Sequence, residues 1–259
     1  MIGCGIDAGS RAMKIVLMDA ASRSIVATAY ADQRPDQDRL AEELLEEALK
    51  SGGAKDRDIG RTVGTGYGRQ LLSRADTSLT EITCLARGVR NQVPDVQAIL
   101  DIGGQDSKVI FLDVKGVRDF MMNDRCAAGT GQFLEMTADR LGLSLSELGR
   151  SALRSRQPAA INSTCAVFAE TEIVSLLASG ITPDDLAAGV LRSVAQRTAS
   201  LAVRRISAPA VFSGGVARIP GMGEILSLAL GQDLIIAPEP HFTAARGAAH
   251  IACDGLDEP

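Results

Sequence analysis

The sequence predicts an α/β protein of two lobes, each built on a mixed β-sheet. One observation behind this is a repeat: an apolar run, an aspartate, a glycine-rich turn and two further apolar runs occur near residue 2 and again near residue 97. The other is the order of the elements, because in each half the strands precede the helices. We therefore expect a first lobe of residues 1–94 with 243–259, a second lobe of residues 95–242, and a cleft between the lobes.

The first copy of the repeat begins with Ile2–Asp7, an apolar run that leads into the turn Ala8-Gly9-Ser10. Lys14–Asp19 is the next apolar run, and two such runs about a glycine turn predict a β-hairpin. Ile25–Tyr30 alternates in polarity and predicts a third strand. The turn would present backbone N–H groups and a hydroxyl to a phosphate, and the carboxylate of Asp7 suits a metal-bound water.

The stretch between the two copies predicts one helix and one strand. An apolar stripe across residues 40–48 predicts a Glu-rich helix that Ser51-Gly52-Gly53 would end. Arg61–Gly66 predicts a strand entering a glycine-rich loop, and Glu81–Asn91 predicts either a loop or a helix. The pattern G-x-x-x-x-G-K-[ST] occurs nowhere in the chain, so a P-loop is excluded.

The second copy starts at Ala98–Asp101, again a strand that ends in an aspartate. The turn Ile102-Gly103-Gly104-Gln105-Asp106-Ser107 follows, and Lys108–Asp113 and Val117–Met122 predict the second and third strands. One such turn is weak evidence for function, whereas its repetition is informative. Two units of this kind facing each other would bracket a nucleoside triphosphate and its Mg²⁺.

Two cysteines each precede a predicted helix. Cys126 lies just before the small-residue turn Gly129-Thr130-Gly131, and Cys165 lies before an apolar helical stripe in which Glu170 and Glu172 are expected in the first turn. Helix N-termini carry partial positive charge and free N–H groups, so they favour anions. A thiolate there has a lowered pKa and becomes a metal ligand or a nucleophile.

The remainder of the chain predicts two helices and two strands. Asp184–Ser207 is a long amphipathic helix, and Pro209–Phe212 is a strand that enters Ser213-Gly214-Gly215, where a flat ligand could approach the backbone closely. Leu234–Ala237 predicts the last strand. Thr243–Cys253 is rich in Ala and Gly and predicts a helix that crosses back to the first half.

Composition excludes several classes of protein. Only 3% of the 259 residues are aromatic, and the net charge of −5 comes without a run of Lys or Arg, so nucleic acid and anionic membranes are poor partners. The chain lacks an apolar stretch of the roughly 18–20 residues that span a bilayer, and its start does not read as a signal peptide, so we expect a cytoplasmic protein. The five cysteines contain no C-x-x-C pair, which argues against a disulfide scaffold or a zinc site within one chain.

Five motifs follow one another along nearly the whole chain: Gly5-Ile6-Asp7-x-Gly9-Ser10, Asp101-Ile102-Gly103-Gly104-Gln105-Asp106, Asn123-Asp124-x-Cys126-Ala127-Ala128-Gly129-Thr130-Gly131, Ser163-Thr164-Cys165-x-Val167-Phe168-Ala169-Glu170 and Ser213-Gly214-Gly215-Val216-Ala217-Arg218. Together they resemble the activators of 2-hydroxyacyl-CoA dehydratases, a family that includes the ATP-hydrolysing subunits of benzoyl-CoA reductases. The two cysteine motifs are specific to this family. The glycine turns are shared with all actin-like and sugar-kinase-like ATPases.

The resemblance implies the acetate-and-sugar-kinase/Hsc70/actin fold, an RNase H-like ATPase fold with the nucleotide between the lobes. It also implies a homodimer with one [4Fe–4S] cluster between the subunits, to which each subunit supplies Cys126 and Cys165, giving the four thiolates that such a cluster needs. In the implied activity, a ferredoxin or flavodoxin reduces the cluster and ATP gates transfer of a low-potential electron to an acyl-CoA dehydratase or reductase. Cys4, Cys84 and Cys253 match no ligand motif and are expected to be structural.

The resemblance further implies roles for the glycine turns. Asp7 and Asp101 would hold Mg²⁺ through waters, and Gln105 or Asp106 would orient the attacking water. Gly214 and Gly215 would lie behind the adenine. The expected ATP- or ADP-binding residues are Gly9, Ser10, Lys14, Gly103, Gly104, Gly129, Thr130, Gly131, Gly214 and Gly215.

Three other interpretations stay open at the level of sequence. The chain could be the ATPase subunit of a benzoyl-CoA reductase, although the full Cys-Ala-Ala-Gly-Thr-Gly motif favours a free activator. A small-molecule kinase of the same fold would need a catalytic aspartate at a substrate site and would have no use for paired cysteines. A dimer without catalytic activity could hold zinc at the same four thiolates.

Overall fold

The computed structural model describes residues 1–163, 165–202 and 206–257. Three predicted stretches therefore extend outside the described residues: the second cysteine motif at Thr164, the long helix at residues 203–205, and the first lobe at residues 258 and 259. The described chain divides into one unit made of residues 1–95 with 242 onwards, and another made of Val96–His241. No helix in the described ranges combines the length and apolarity that crossing a membrane requires.

The described residues form strands and helices in a repeated order. The strands are β1 Ile2–Ala8, β2 Ala12–Asp19, β3 Ile25–Asp32, β4 Ile59–Thr65, β5 Thr77–Ser78, β6 Ala98–Ile102, β7 Ser107–Asp113, β8 Gly116–Asn123, β9 Ala210–Ser213 and β10 Ile235–Ile236. The α-helices are α1 Gln37–Ser51, α2 Glu81–Arg90, α3 Gly131–Leu141, α4 Leu145–Arg154, α5 Ala166–Ala178, α6 Pro183–Leu201, α7 Met222–Leu230 and α8 Thr243–Asp257.

The first unit is a five-stranded sheet in the order β3-β2-β1-β4-β5. β1 to β3 are antiparallel and β4 and β5 continue in parallel, so the sheet is mixed as predicted. α1 covers one face of β1 and β2 with Leu40 and Leu44, which pack against Ile6 and Leu17.

α8 belongs to the first unit, where it packs on β1, β2 and β4. β1 carries Gly3 and Gly5 on the side of α8, and a Cβ atom on Gly5 would collide with the backbone of Ala245 and Ala249. Small residues on both elements therefore let the helix backbone lie directly on the sheet. This is the physical reason for the Ala- and Gly-rich composition from which the helix was predicted.

The second unit repeats the same plan in the order β10-β9-β6-β7-β8. β6 to β8 are antiparallel, and β9 and β10 continue in parallel beyond β6. Its core joins Leu100 and Phe111 of the sheet to Phe133 of α3 and to Leu186 and Val190 of α6. The predicted internal repeat is thus a repeat of sheet topology.

Two element predictions need refinement. Glu81–Asn91, left open between loop and helix, contains α2, whose N-cap Thr80 accepts a hydrogen bond from the Thr83 amide. The helix predicted over Asp184–Ser207 was too long, because α6 ends at Leu201 and Ala202 already leaves the helical conformation with ψ near 64°. Pro209 disfavours helical backbone at the residue before it, so the chain must leave the helix before β9.

Candidate functional site

Each unit carries a buried aspartate and a lysine directly opposite each other on its first hairpin. In the first unit Asp7 of β1 faces Lys14 of β2, and the Lys14 Nζ lies 3.1 Å from the Asp7 Oδ2. Burial acts to lower the pKa of Lys14, but the charge and hydrogen bond of Asp7 outweigh it and the pKa is raised. Lys14 is therefore a largely buried cation, with 15% of its side chain exposed, that is paired with Asp7.

In the second unit Asp101 of β6 faces Lys108 of β7 in the same register. The Lys108 Nζ lies 3.8 Å from the Asp101 Oδ2 and 2.8 Å from the Asp106 Oδ1. Sequence reasoning missed Lys108 as a site residue. The signal was present, because both lysines follow their aspartate by seven positions and aligning the two copies of the repeat places Lys108 on Lys14.

One carboxylate oxygen of Asp7 has no hydrogen-bond donor among the described residues. The Oδ1 atom is buried and accepts no hydrogen bond from any described residue. Gly66 lies so close that a Cβ atom there would collide with this oxygen, and a Cβ atom on Gly9 would come 2.9 Å from the Lys14 Nζ. A buried carboxylate oxygen without a donor is costly unless a cation or an ordered water meets it, so this arrangement fits Mg²⁺ held through a water.

The predicted candidates for orienting water differ in their surroundings. Asp106 accepts a hydrogen bond from Lys108, whereas Gln105 is exposed at the tip of the turn between β6 and β7. Ser10 occupies the matching turn of the first unit and is half-buried. Neither Gln105 nor Asp106 is favoured by this geometry, and their role stays a prediction.

The turn that follows Asp101, at Gly103 and Gly104, is hydrogen-bonded to the start of α3. We call it the aspartate turn. The Gly131 amide donates to the Gly103 carbonyl at 2.9 Å, and the Gln132 amide donates to the Gly104 carbonyl at 2.8 Å. A Cβ atom on Gly131 would lie 2.9 Å from the same Gly103 oxygen, so only glycine permits this approach without a shift. The aspartate turn and the helix that follows Cys126 are therefore directly linked.

The loop of Gly129 and Thr130 is also internally bonded. Their amides donate to the carbonyls of Cys126 and Ala127, and the Thr130 hydroxyl donates to Ala127 at 2.8 Å. Phosphate binding by the amides of residues 129–131 would thus compete with hydrogen bonds that the loop already makes. Their predicted contact with phosphate is untested.

Gly214 and Gly215 follow β9 and differ in their surroundings. Gly214 has φ near +89°, and a Cβ atom there would collide with the Ile102 carbonyl at the end of β6. A Cβ atom on Gly215, in contrast, would meet no atom of the described structure within 4 Å. Gly214 is therefore required for packing, and Gly215 offers the open backbone surface that a flat ring needs.

The five cysteines fall into two classes. Cys4, Cys84 and Cys253 are buried, and burial raises the pKa of Cys4 and of Cys84 to about 12. A cysteine binds a metal as the thiolate, so these buried thiols are poor metal ligands. Cys126 and Cys165 are half-exposed and stand at N-cap positions, before a short 3₁₀ turn and before α5 respectively.

Cys126 and Cys165 fit a cluster to which each chain would supply two thiolate ligands. The described residues contain no group of three or more His, Cys, Asp or Glu side chains arranged to hold a metal ion. Cys126 is held at its backbone by Asn123, whose side chain accepts from the Cys126 amide at 3.0 Å and donates to its carbonyl at 2.8 Å. Asn123 was recognised as part of a motif, but its clamping role could not be read from the sequence.

The prediction that Glu170 and Glu172 lie in the first turn of a helix was wrong. α5 begins at Ala166, so both residues lie beyond its first turn. Glu170 forms an ion pair with Arg140 of α3, while Glu172 accepts hydrogen bonds from the amides of Asn162 and Ser163, 2.9 and 2.8 Å away. The two carboxylates therefore anchor the segment before Cys165 and join α5 to α3.

The two-unit plan with repeated Asp-containing hairpins is that of the actin/Hsc70 and sugar-kinase ATPases. At the level of fold alone, the chain is similar to a ROK family glucokinase from Streptomyces griseus, with a TM-score of 0.57 at 13% sequence identity over 98% of this chain and 100% of the other. Residues 4–252 match the model of the BadF/BadG/BcrA/BcrD ATPase family, and the chain belongs to that family. The fold class predicted from the resemblance is confirmed.

Relatives within the family are similar over their full length. The chain is 40% identical over 264 residues to the activator of lactoyl-CoA dehydratase of Anaerotignum propionicum, covering 100% of both chains. It is 38% identical to the 2-hydroxyisocaproyl-CoA dehydratase activator of Clostridioides difficile, covering 100% of this chain and 97% of the other. It is 31% identical to one of the subunits of the benzoyl-CoA reductase of Thauera aromatica, covering 96% of this chain and 92% of the other.

Two solved structures have nearly the same fold. The activator of the 2-hydroxyisocaproyl-CoA dehydratase from Clostridium difficile, with bound ADPNP, matches with a TM-score of 0.94 at 38% identity, over 100% of this chain and 96% of the other. Component A of the (R)-2-hydroxyglutaryl-CoA dehydratase of Acidaminococcus fermentans matches with a TM-score of 0.94 at 37% identity, over 100% of both chains. The predicted relationship to dehydratase activators is confirmed, as is binding of a nucleotide within this group.

Proposed function

We propose that this chain is an ATP-hydrolysing iron–sulfur protein that delivers a low-potential electron to a 2-hydroxyacyl-CoA dehydratase. The observation that carries the proposal is the placement of Cys126 and Cys165. They are the half-exposed cysteines, each stands at the start of a helical segment, and one lies on the stretch that is bonded to an aspartate turn. The names of the relatives support the choice of a dehydratase as acceptor.

For the nucleotide, we assign Mg²⁺ to Asp7 and Asp101 through waters, and the phosphates to Lys14, Lys108 and the glycine turns. The ion would supply charge stabilisation to a phosphoryl transfer, whose catalysis is mainly positioning and electrostatics. The donorless oxygen of Asp7 supports this assignment. The open surface at Gly215 supports a place for adenine beside β9.

For the cluster, we assign one [4Fe–4S] group to a homodimer in which each subunit gives Cys126 and Cys165. Such a group would serve as a one-electron carrier whose potential is set by its ligands and their surroundings. The residues of this chain would hold it, orient the two thiolates and limit their access to solvent. We further propose a ferredoxin or flavodoxin as donor and a cytoplasmic location.

The hydrogen bonds between the turn at Gly103 and α3 would connect the nucleotide site with the cluster site. A movement of the aspartate turn on ATP binding or hydrolysis would pull on Gly131 and Gln132, whose amides it holds. The same stretch begins at Cys126, five residues earlier. ATP turnover would thus change the position of one cluster ligand, and by linkage the cluster would change the affinity for nucleotide.

The proposal is tested on protein purified without oxygen. We expect a brown protein with iron and acid-labile sulfide at one cluster per dimer, and loss of both in Cys126→Ser and in Cys165→Ser. Cys4→Ser, Cys84→Ser and Cys253→Ser are the matched controls and should keep their iron. A colourless wild-type protein, or a Cys126→Ser variant with a full cluster, would refute the bridging arrangement.

The second candidate is the ATPase subunit of a benzoyl-CoA reductase, favoured by the 31% identity to a component of that enzyme. The two functions differ in the electron acceptor. A free activator should support turnover when a purified 2-hydroxyacyl-CoA dehydratase, ATP and a reductant are added. A reductase component should instead be isolated in a stable complex with other chains and be inactive with the dehydratase.

A further inference from the structure

We propose that Arg197 is a positioning residue that holds the Cys126 loop and the segment before Cys165 in a fixed relation within each subunit. The inference rests on the iron–sulfur function proposed above and adds a residue to it. Arg197 lies on α6, which carries neither cysteine. It hydrogen-bonds to the segment before Cys165 and lines the same cavity as Cys126.

The head of Arg197 reaches the second cysteine segment. Its Nη2 donates a hydrogen bond of 2.9 Å to the carbonyl of Ser163, two residues before Cys165. Its Nε donates at 3.4 Å to the hydroxyl of Ser193, one helical turn earlier on α6. The planar guanidinium is therefore oriented by its own helix while it holds a carbonyl of a separate segment.

The stem of Arg197 reaches the first cysteine segment. A Cβ atom built on Gly129 would lie 3.6 Å from the Arg197 Cβ and 3.8 Å from its Cδ, so the Gly129 backbone lies next to the aliphatic part of this side chain. Gly129 follows Cys126 by three residues, and Arg197 and Cys126 line the same cavity of about 800 Å³. One side chain thus lies beside the Cys126 loop and hydrogen-bonds to the segment that precedes Cys165.

The opposite side of the second segment is held by Glu172. This carboxylate accepts from the amides of Asn162 and Ser163, whereas Arg197 donates to the Ser163 carbonyl. Glu172 belongs to α5, whose N-cap is Cys165, so it would move with that cysteine. Arg197 belongs to another helix, so its hydrogen bond fixes the segment relative to the rest of the unit.

Arg197 also contributes charge. A guanidinium is positively charged, whereas thiolates and the clusters they bind are anionic. The other charged groups lining the cavity are Asp124 and Arg125, which oppose each other in sign. Arg197 should therefore favour the reduced, more negative state of a group bound at Cys126 as well as hold the ligands in place.

The test compares Arg197→Gln and Arg197→Lys with Arg192→Gln. Arg192 is exposed on the same helix, and no hydrogen bond joins it to either cysteine segment among the described residues, so it controls for loss of a helix charge. We expect Arg197→Gln to speed iron release to a chelator about tenfold or more, because loss of an outer-shell partner typically lowers metal affinity by about that factor. We also expect its cluster to have a more negative midpoint potential.

Arg197→Lys separates the two effects. Lysine keeps the positive charge but lacks the planar arrangement of N–H donors of the guanidinium. The Arg197→Lys variant should therefore release iron faster than wild type, while its midpoint potential stays closer to that of wild type. In the apoprotein, hydrogen exchange at the amides of Asn162 and Ser163 should be faster in both Arg197 variants and unchanged in Arg192→Gln. If Arg197→Gln does not fold, Arg197→Lys and the exchange measurement decide the question.

Two results would count against the inference, and they are distinguishable. If wild type holds the cluster but both Arg197 variants match Arg192→Gln in iron release, potential and exchange, Arg197 does not position the ligands. If wild type holds no iron or sulfide, the proposed function itself fails. Faster iron release with an unchanged potential in Arg197→Gln would retain the positioning role and remove the electrostatic one.

Discussion

Replacing Gly131 by alanine should weaken the coupling between nucleotide and cluster while leaving both bound. The new methyl group would lie 2.9 Å from the Gly103 carbonyl oxygen and 3.3 Å from the Gly104 Cα, so the start of α3 must move away from the turn. Two hydrogen bonds join these elements, from the amides of Gly131 and Gln132. At about 1 kcal/mol net for each bond, the link can transmit at most about 2 kcal/mol.

That figure sets the size of the expected effect. A coupling free energy of about 2 kcal/mol corresponds to a change in affinity of roughly 30-fold. In wild type, ADP affinity should therefore differ between oxidised and reduced protein by up to about this factor, and in Gly131→Ala the ratio should fall towards one. The assay is anaerobic titration of ADP into both redox states of each protein.

The matched control is Gly149→Ala in α4. A Cβ atom there would also clash with backbone, at the Pro220 carbonyl, but α4 is not bonded to the aspartate turn. Both variants should lose stability, and the redox dependence of ADP binding should fall only in Gly131→Ala. If Gly131→Ala keeps the wild-type ratio of affinities, the hydrogen bonds between the turn and α3 do not carry the coupling.

Three further predictions concern the buried charges. Asp7→Asn and Asp101→Asn should each strongly reduce Mg²⁺-dependent ATP hydrolysis while the iron content stays at the wild-type level; near-normal hydrolysis in both would contradict the metal assignment. Lys108→Met should impair hydrolysis about as much as Lys14→Met, because the two lysines occupy equivalent positions; an effect confined to Lys14 would show that the repeat is structural only. Burial, helped by the charge of Arg87, lowers the pKa of His250 to about 4, so the folded state binds fewer protons than the unfolded state as the pH falls from 6.5 to 4. The free energy of unfolding should thus drop by about 2 kcal/mol between pH 7 and pH 5 in urea titrations, and His250→Gln should remove most of that slope.

Local pattern was sufficient for the hairpins and the cysteine helices. Asp7, the glycine turn and the apolar runs around them are contiguous, so they reveal strand, turn and carboxylate together. Lys108 was within reach of the same reasoning and needed only the alignment of the two copies. The position of Glu172 was misjudged because the helix begins at Ala166, directly after the N-cap Cys165, whose side chain makes no capping hydrogen bond.

Contacts between distant segments could not be predicted in this way. Arg197 meets the Ser163 carbonyl across 34 residues, and Asn123 clamps a backbone whose local conformation the sequence does not reveal. The hydrogen bonds from Gly131 to Gly103 and from Gln132 to Gly104 are of the same kind. Such contacts depend on how helices lie on the sheet, which periodicity alone does not determine.

The facing pairs of Asp7 with Lys14 and of Asp101 with Lys108 have a consequence for the protein without nucleotide. Each buried carboxylate already has a countercharge supplied by the neighbouring strand, so the ligand-free state carries no isolated buried charge at these positions. We therefore expect the chain to fold without the metal that these residues are proposed to bind. Each lysine supplies a positive charge beside the carboxylate when no ion is bound. A chelator that removes Mg²⁺ should therefore abolish ATP hydrolysis without unfolding the protein.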